Sequence, residues 1–499
     1  MRVFAASACF LVLLLSPNAK PADGGDALAT YKAADFERAL PLLQVAVAAD
    51  PQNEALNAAW LSSLVYQGQV DAAAETATAD KAKFPDSPVV TAARGEFAYY
   101  MGDTSKAEAL FRQAIKLKEQ TPRAYLGLYR LYEAASMYRT ARQLILRAHA
   151  IDPDDALITR TWMSFIPPEQ QRELFGPFAE SHPWLFKNVQ LNRATTAKIS
   201  EHVQRRQIFE LEDSTKEVTL SLIPIYNARR QVVALGLPFK MNSGRTLTLV
   251  LDTGASGILV SRSAVDKAEL SHLGAAQTTG IGDGGAQRAF VAVADTCDIG
   301  TLHYKTCLVR AAEGALRLTG GEDGLIGTNV FSDYLVKIDF RKQQLHLAPQ
   351  PPREPNPLGY DSKGPGDGWT RVFRYGHLLF VPTNLNGKTS GLFLIDTGAV
   401  MSNVDSTFAR LSTKIHDNSV MRVYGVSGDV KNVFRADKAI ITFAGYKQKN
   451  IGLTSFDLNN SAEHHDVRID GILGFSVLNM FRLTLDYRNG LVKFEYTRK

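Results

Sequence analysis

Residues 249–261 read LVLDTGASGILVS and residues 392–404 read LFLIDTGAVMSNV. In each, a run of apolar residues ends on a single acid, Asp252 or Asp396, followed by a hydroxyl residue and a glycine. The apolar run reads as a buried strand, where an unpaired charge is expensive unless it is put to use. One such turn is commonplace, because an Asp can cap its own backbone. A D-T-G triplet arises by chance on the order of 0.1 times in a chain of ordinary composition, so two copies at the ends of matching strands carry more weight. The surroundings repeat too. Gly280 in TTGIGDGG lies 28 residues beyond Asp252, and Gly425 in VYGVSGD lies 29 beyond Asp396. DGLIG ends at Gly327 and DGILG at Gly474, offsets of 75 and 78. The closing strands VKIDFRKQQLHL and LTLDYRNGLVKF place Asp339 and Asp486 each 12 residues past those glycines. A whole β-rich lobe is therefore present twice, in residues 217–347 and 370–499, joined by a Pro/Gly-rich linker at 348–369.

This order of elements, an apolar strand, D-T-G, a Gly-rich hairpin, then two apolar residues and a glycine, resembles the aspartic proteases. The short lobes with DTGA are most similar to the retroviral-type branch, here with two lobes fused in one chain. The resemblance implies a β-barrel-like lobe on each side of a cleft, with Asp252 and Asp396 meeting at a pseudo-twofold axis as the catalytic pair. Thr253 and Thr397 would brace the two loops, and Gly254 and Gly398 would let backbones approach the acids. The hairpins around Gly280, Ile281 and Gly282 and around Gly425, Val426 and Gly428 would be substrate-binding flaps, with L-I-G and I-L-G beneath the catalytic loops. Two carboxylates this close hold one proton between them, which equips one as base and the other as acid. Two departures stand out: Val400 replaces the equivalent of Ser256, and Ala255 and Ala399 stand where pepsin-like relatives carry a hydroxyl. Loss of that hydroxyl donor is expected to raise the pair's pKa values and move the optimum toward neutrality.

Residues 24–160 are Ala-rich and helical in period. Aligned at Ala34, Gly68, Gly102 and Ser136, every step is 34, and Ala39, Ala73, Ala107 and Ala141 follow five residues later. Seventeen residues on come Pro51, Pro85, Glu119 and Pro153, with Pro122 standing three late in its repeat. The pattern resembles the tetratricopeptide (TPR) repeat, which implies a solenoid of helix pairs that binds a peptide or partner protein, or else a structural helical cap. A connecting region, 161–216, shows no identifiable chemistry.

The first residues, MRVFAASACFLVLLLSPNAKPADGG, have the order of a secretory signal peptide, expected to end near residue 22. Its apolar run spans about 20 Å, short of the ~30 Å hydrocarbon core. Export to a periplasmic or extracellular space is therefore expected, with an uncleaved anchor as the alternative and no stable membrane span. Cys297 and Cys307, ten residues apart, either close a small disulfide or stay as buried thiols; a hairpin turning at Gly300 and Thr301 would leave them off register. A net charge of +5 over 499 residues gives no reason to expect nucleic acid, and no His or Cys pair has metal-ligand spacing. The expected fold is multidomain: an all-α TPR solenoid followed by an all-β, two-lobed aspartic protease, needing no cofactor or metal. The expected function is an exported aspartic endopeptidase whose repeats recruit substrate or partner. The alternative is a non-catalytic peptide-binding adaptor. On either reading, residues 210–499 are expected to fold without the repeats.

Overall fold

The computed structural model describes residues 24–186, 208–212, 217–318, 320–351, 366–418, 420–459 and 467–497. The expected signal peptide and residues 352–365 of the linker lie outside the described residues. An N-terminal helical region precedes a mostly β region. Among the described residues no helix is long and apolar enough to cross a membrane.

Among the described residues the helical region opens with α1 Gly24–Lys32, α2 Phe36–Ala49, α3 Glu54–Tyr66, α4 Val70–Lys83, α5 Pro88–Tyr100, α6 Thr104–Leu117, α7 Pro122–Ala134, α8 Tyr138–Ile151 and α9 Ala156–Trp162. The even-numbered helices begin at 36, 70, 104 and 138, and the odd ones from α3 at 54, 88, 122 and 156, so both sets keep the 34-residue step. Pro122 is thus not late. It occupies the first turn of α7 as Pro88 does in α5, a position where the missing N–H costs nothing. The aligned small residues Ala34, Gly68, Gly102 and Ser136 all adopt left-handed backbone, with φ of 58°, 67°, 70° and 61°, and so reverse the chain between paired helices. Ala39, Ala73, Ala107 and Ala141 are buried to within 1% where the helices touch. Phe111 fills the centre of the helical core, and a Cβ on Gly95 or Gly127 would come within 2.6 Å or 2.2 Å of its ring.

The connecting region continues as a helix, α10 Pro168–Ser181, and a turn, Pro183–Phe186, from which Trp184 Nε1 donates to Ala33 O at 2.9 Å, tying it back to the first helix pair. The strand Glu210–Leu211 then pairs with Lys305 and Tyr304, so the first β lobe takes up chain from before residue 217.

Each lobe is built on one large sheet, nine-stranded in the first and eight-stranded in the second among the described residues. A six-stranded sheet joins them, because the closing strands Tyr334–Asp339 and Phe481–Asp486 pair antiparallel, Val336 against Leu485 and Ile338 against Leu483. One apolar core runs through this seam, containing Leu251, Ile338, Phe393 and Leu483. Cys297 lies opposite Tyr304, and Cys307 opposite Ala294, an odd offset that should put the two on opposite faces. Thr306, at φ 55°, breaks the alternation: Leu302, Tyr304 and Thr306 are buried before it and Cys307, Val309 and Ala311 after it. The sulfurs therefore meet, and the disulfide forms with a Cα separation of 6.2 Å.

The helical region is not separate from the β region. Tyr99, Leu128 and Tyr132 share an apolar cluster with Phe373, Phe380 and Leu392 of the second lobe. Polar contacts reinforce it: Arg371 Nη1 donates to Ala135 O at 3.2 Å, Tyr375 Oη to Tyr99 Oη at 2.8 Å, and the Arg468 amide to Tyr100 O at 3.0 Å. This shared core argues against the expectation that the β lobes fold without the repeats. Deleting residues 24–186 uncovers Phe373, Phe380 and Leu392, so the truncated chain should aggregate or melt far below the full chain, as calorimetry on the two would measure. Within the helices the usual sign of a Gly→Ala exchange should reverse. Gly127→Ala, which in an open helix stabilises by about 1 kcal/mol, should here destabilise by ~1–3 kcal/mol because the methyl displaces Phe111, read from denaturant midpoints.

Candidate active site

In the first lobe the strand Leu247–Asp252 lies between Val232–Met241, antiparallel, and Gly324–Gly327, parallel, with Gly327 level with Asp252. The second lobe repeats this. Thr389–Ile395 lies between Leu378–Leu385 and the parallel strand Gly471–Leu473, and the Asp396 amide donates to Leu473 O at 3.0 Å. L-I-G and I-L-G thus sit beside the strands that deliver the acids, and their last residues must be glycine. A Cβ on Gly327 would stand 2.3 Å from Ala255 O, and one on Gly474 2.8 Å from Ala399 O.

The two D-T-G turns meet. The Thr253 amide donates to Thr397 Oγ1 and the Thr397 amide to Thr253 Oγ1, both at 3.0 Å. Each hydroxyl donates onward into the opposite lobe, Thr253 Oγ1 to Ile395 O at 2.6 Å and Thr397 Oγ1 to Leu251 O at 2.7 Å. Four buried hydrogen bonds thereby fix one turn against the other. The glycines serve the same approach: a Cβ on Gly254 would stand 2.9 Å from Asp396 Cγ, and one on Gly398 2.4 Å from Asp252 Cγ.

Asp252 and Asp396 are each 8% exposed and hydrogen-bond one another. Asp252 Oδ1 accepts the Gly254 amide at 2.7 Å; Asp396 Oδ1 accepts those of Gly398 and Ala399, both at 2.9 Å. Burial raises both carboxyls above the usual range. For Asp252 the neighbouring Asp396 charge adds to burial and lifts it well above. For Asp396, burial is opposed first by the Ala399 amide and then by the bond from Asp252. Burial is the leading cause of both shifts. The Ala399 amide donates to Asp396 Oδ1, whereas the Ala255 amide donates to the main-chain oxygen of Asp252 at 3.3 Å. Two such close carboxyls favour one shared proton, and the two amides on Asp396 Oδ1 against one on Asp252 Oδ1 favour the charge on Asp396.

Two hairpin tips, one from each lobe, touch. The Gly280 amide donates to Ser427 Oγ at 3.1 Å, the Ser427 amide to Ile281 O at 3.0 Å, and the Gly284 amide to Ser427 O at 2.8 Å. Gly282, at φ 128°, leaves no room for a side chain, since a Cβ would fall 2.4 Å from Gly428 O. Gly425 closes on Ile281 O in the same way, at 2.6 Å. Val426 packs against the first lobe's apolar cluster with Ala255 and Val400, while Ile281 packs on the second lobe's side with Ala399. Every residue expected in the two flaps is thus brought to one contact between the tips, packed beside Ala255, Ala399 and Val400.

Val400 is half-buried in that first-lobe cluster, so the departure from Ser256 adds apolar surface to one side. Other groups at the site left no local signal in the sequence. Asn329 Oδ1 accepts the Gly257 amide at 3.0 Å, and Ser402 Oγ accepts the Gly474 amide at 3.0 Å, each holding the segment behind a turn. His377, from the second lobe, reaches the first lobe's turn with Nε2 at 3.3 Å from Gly254 O. Ser427 and Asp283 join the tips, Asp283 Oδ2 accepting the Lys431 amide at 2.7 Å. Among the described residues no cluster of three or more His, Cys, Asp or Glu side chains is placed to hold a metal ion.

No curated protein sequence matches the chain. Among solved structures, the chain is similar to the aspartic proteinase from Irpex lacteus, at 14% identity and a TM-score of 0.37, over 56% of this chain and 97% of that one. Residues 237–330, which hold the first D-T-G turn and its G-L-I-G strand, match the model of a family described as Aspartyl protease, and the chain therefore carries an aspartic protease-like domain.

Proposed function

We propose that the protein is an exported aspartic endopeptidase in which Asp252 and Asp396 activate water against a peptide carbonyl. The observation that carries this reading is the pair itself: two buried carboxyls in mutual hydrogen bond, held by the crossed threonines. Asp396, whose charge is supported by two amides on Oδ1, is assigned the base that takes a proton from water. Asp252, which carries the shared proton, is assigned the acid that gives it to the carbonyl oxygen. No covalent intermediate is needed. The hairpin tips must part to admit an extended peptide and re-form over it, excluding water from the reacting centre. Export is supported by the leader-like N-terminus and by the Cys297–Cys307 disulfide, a bond that persists in oxidising compartments. Recruitment of a substrate or partner protein is assigned to the repeat surface that the second lobe leaves uncovered. The non-cutting adaptor has one observation in its favour, the Val400 side chain in the cleft-side cluster.

Incubating the full chain with a diverse peptide library and reading cut sites by mass spectrometry separates the two. Asp252→Asn and Asp396→Asn should each lower cleavage at least a thousandfold, because neither half can perform both transfers. Both variants should stay folded. A carboxyl whose folded pKa lies above its unfolded value loses stability as pH rises through the folded value, so Asp252→Asn should melt no lower than the natural chain at neutral pH. Retention of near-full activity in either variant would remove the pair from the mechanism.

The pH profile follows from the same shifts. The acid limb reports protonation of Asp396 and the alkaline limb loss of the proton on Asp252. Since burial raises both, kcat/KM should peak at mildly acidic to near-neutral pH. Ala255→Ser with Ala399→Ser, which adds a hydroxyl donor to the charged form, should move the optimum toward acid. Thr397→Val should cost roughly 2–5 kcal/mol of stability by leaving Leu251 O and the Thr253 amide unpaired, whereas Thr397→Ser should keep most of it, as urea titration would show.

A further inference from the structure

The two lobes offer an internal comparison at the acids of DGLIG and DGILG. Asp323 Oδ2 accepts the amide of Thr248, four residues before Asp252, at 2.9 Å. Asp470 Oδ2 accepts the amide of Leu392, four residues before Asp396, also at 2.9 Å. Each acid thus pins the strand that carries one member of the pair. In the first lobe the pin faces solvent: the Asp323 side chain is 21% exposed and paired with Arg245. In the second lobe Asp470 is fully buried, and what covers it is the turn at Gly102 of the helical region. A Cβ on Gly102 would stand 2.4 Å from Asp470 Oδ2, 2.8 Å from the Leu392 amide nitrogen and 3.1 Å from Gly391 Cα. Gly391 is just as tight, with Asp470 Oδ2 2.5 Å from its own missing Cβ.

We infer that the turn at Gly102 is a positioning element for Asp396: pressed on Gly391 and Asp470, the helical repeats hold the strand that delivers one half of the proposed pair. The inference rests on reading Asp252 and Asp396 as that pair. It gives the repeats a part in the chemistry of the second lobe besides any binding of partners.

The surroundings of Asp470 fit a fixed pin. The Arg468 guanidinium and the Asp405 carboxylate face it from its own side, paired with each other at 2.8 Å, and the amide of Arg468 is held by Tyr100 O from α5. Burial raises the Asp470 carboxyl well above the usual range, and Oδ1 has no hydrogen-bond partner. Strand Thr389–Ile395 runs from this pin straight to Asp396.

The repeat supplies a matched control. Gly68 occupies the same place one repeat earlier, at φ 67° against 70°, and the nearest atom to its missing Cβ is Tyr100 Oη at 3.6 Å. Gly68→Ala and Gly102→Ala therefore carry the same left-handed backbone cost, and only the second pushes on the lobe. In the full chain, Gly102→Ala should speed amide hydrogen exchange at Leu392 and Asp396 at least tenfold and lower kcat at least tenfold with KM within twofold. Gly68→Ala should leave all of these within twofold. Asp470→Ala should follow Gly102→Ala, and Asp470→Asn, which keeps a neutral acceptor for the Leu392 amide, should stay near the natural chain. Equal effects from the two glycine variants, unchanged exchange in Gly102→Ala, or faster exchange with unchanged kcat would each overturn the inference. If the natural chain cuts no peptide, the endopeptidase reading fails on its own, while the exchange comparison still decides whether the turn pins the strand.

Discussion

Two acids of like charge do not stay in contact inside a protein unless something holds them there. The crossed hydrogen bonds of Thr253 and Thr397 are that constraint, and much of the β region is arranged around it. Each hydroxyl is anchored to the last peptide of the opposite delivering strand, so neither turn can shift without the other. Each strand is in turn walled by a parallel neighbour ending in glycine, because no side chain fits behind the turn. The seam of closing strands keeps the two halves in register from below. The electrostatic strain of the pair is thus borne by neutral hydrogen bonds and by packing, and among the described residues no ion pair is made by either carboxyl.

The hairpin tips depend on the same axis. Their contact is made almost wholly of backbone, Gly280 and Gly282 against Ser427 and Gly428, so it accepts few side chains at its centre. Ile281 and Val426 each pack toward the other lobe, which ties closure of one tip to closure of its counterpart. Ala255 and Val400 share the apolar cluster that receives Val426, so the tip of the second lobe rests beside both D-T-G turns.

Much of this was legible in the sequence, for a physical reason. D-T-G turns, flap glycines and closing strands are local patterns, and duplication doubled each signal. The 34-residue period located the left-handed turns as well, because a chain reversal between close-packed helices needs a small residue at a fixed place. Other features were hidden. Pro122 read as displaced only because the alignment followed prolines rather than helix starts. The Cys297–Cys307 bridge depended on a left-handed Thr306, which a threonine does not announce. Contacts of His377, Asn329 and Ser427 join residues far apart in sequence, and a hydrogen bond leaves no periodicity. The docking of the helices was invisible because Phe380 and Leu392 alternate as any core strand would, whether a second sheet or a helix covers them.

The seam through the closing strands has one more consequence. A two-fold assembly of identical chains shows every substitution twice, once in each half. Here one chain supplies both halves, so each copy has been free to drift alone: Val400 without a partner in the first lobe, a disulfide in the first lobe only, an acid left in water at Asp323 and its twin sealed at Asp470. The helical region packed on the second lobe is the largest such divergence among the described residues, and it gives the two lobes a fixed polarity, since the strand that leads to Asp396 is braced by helices and the strand that leads to Asp252 by an acid at the surface.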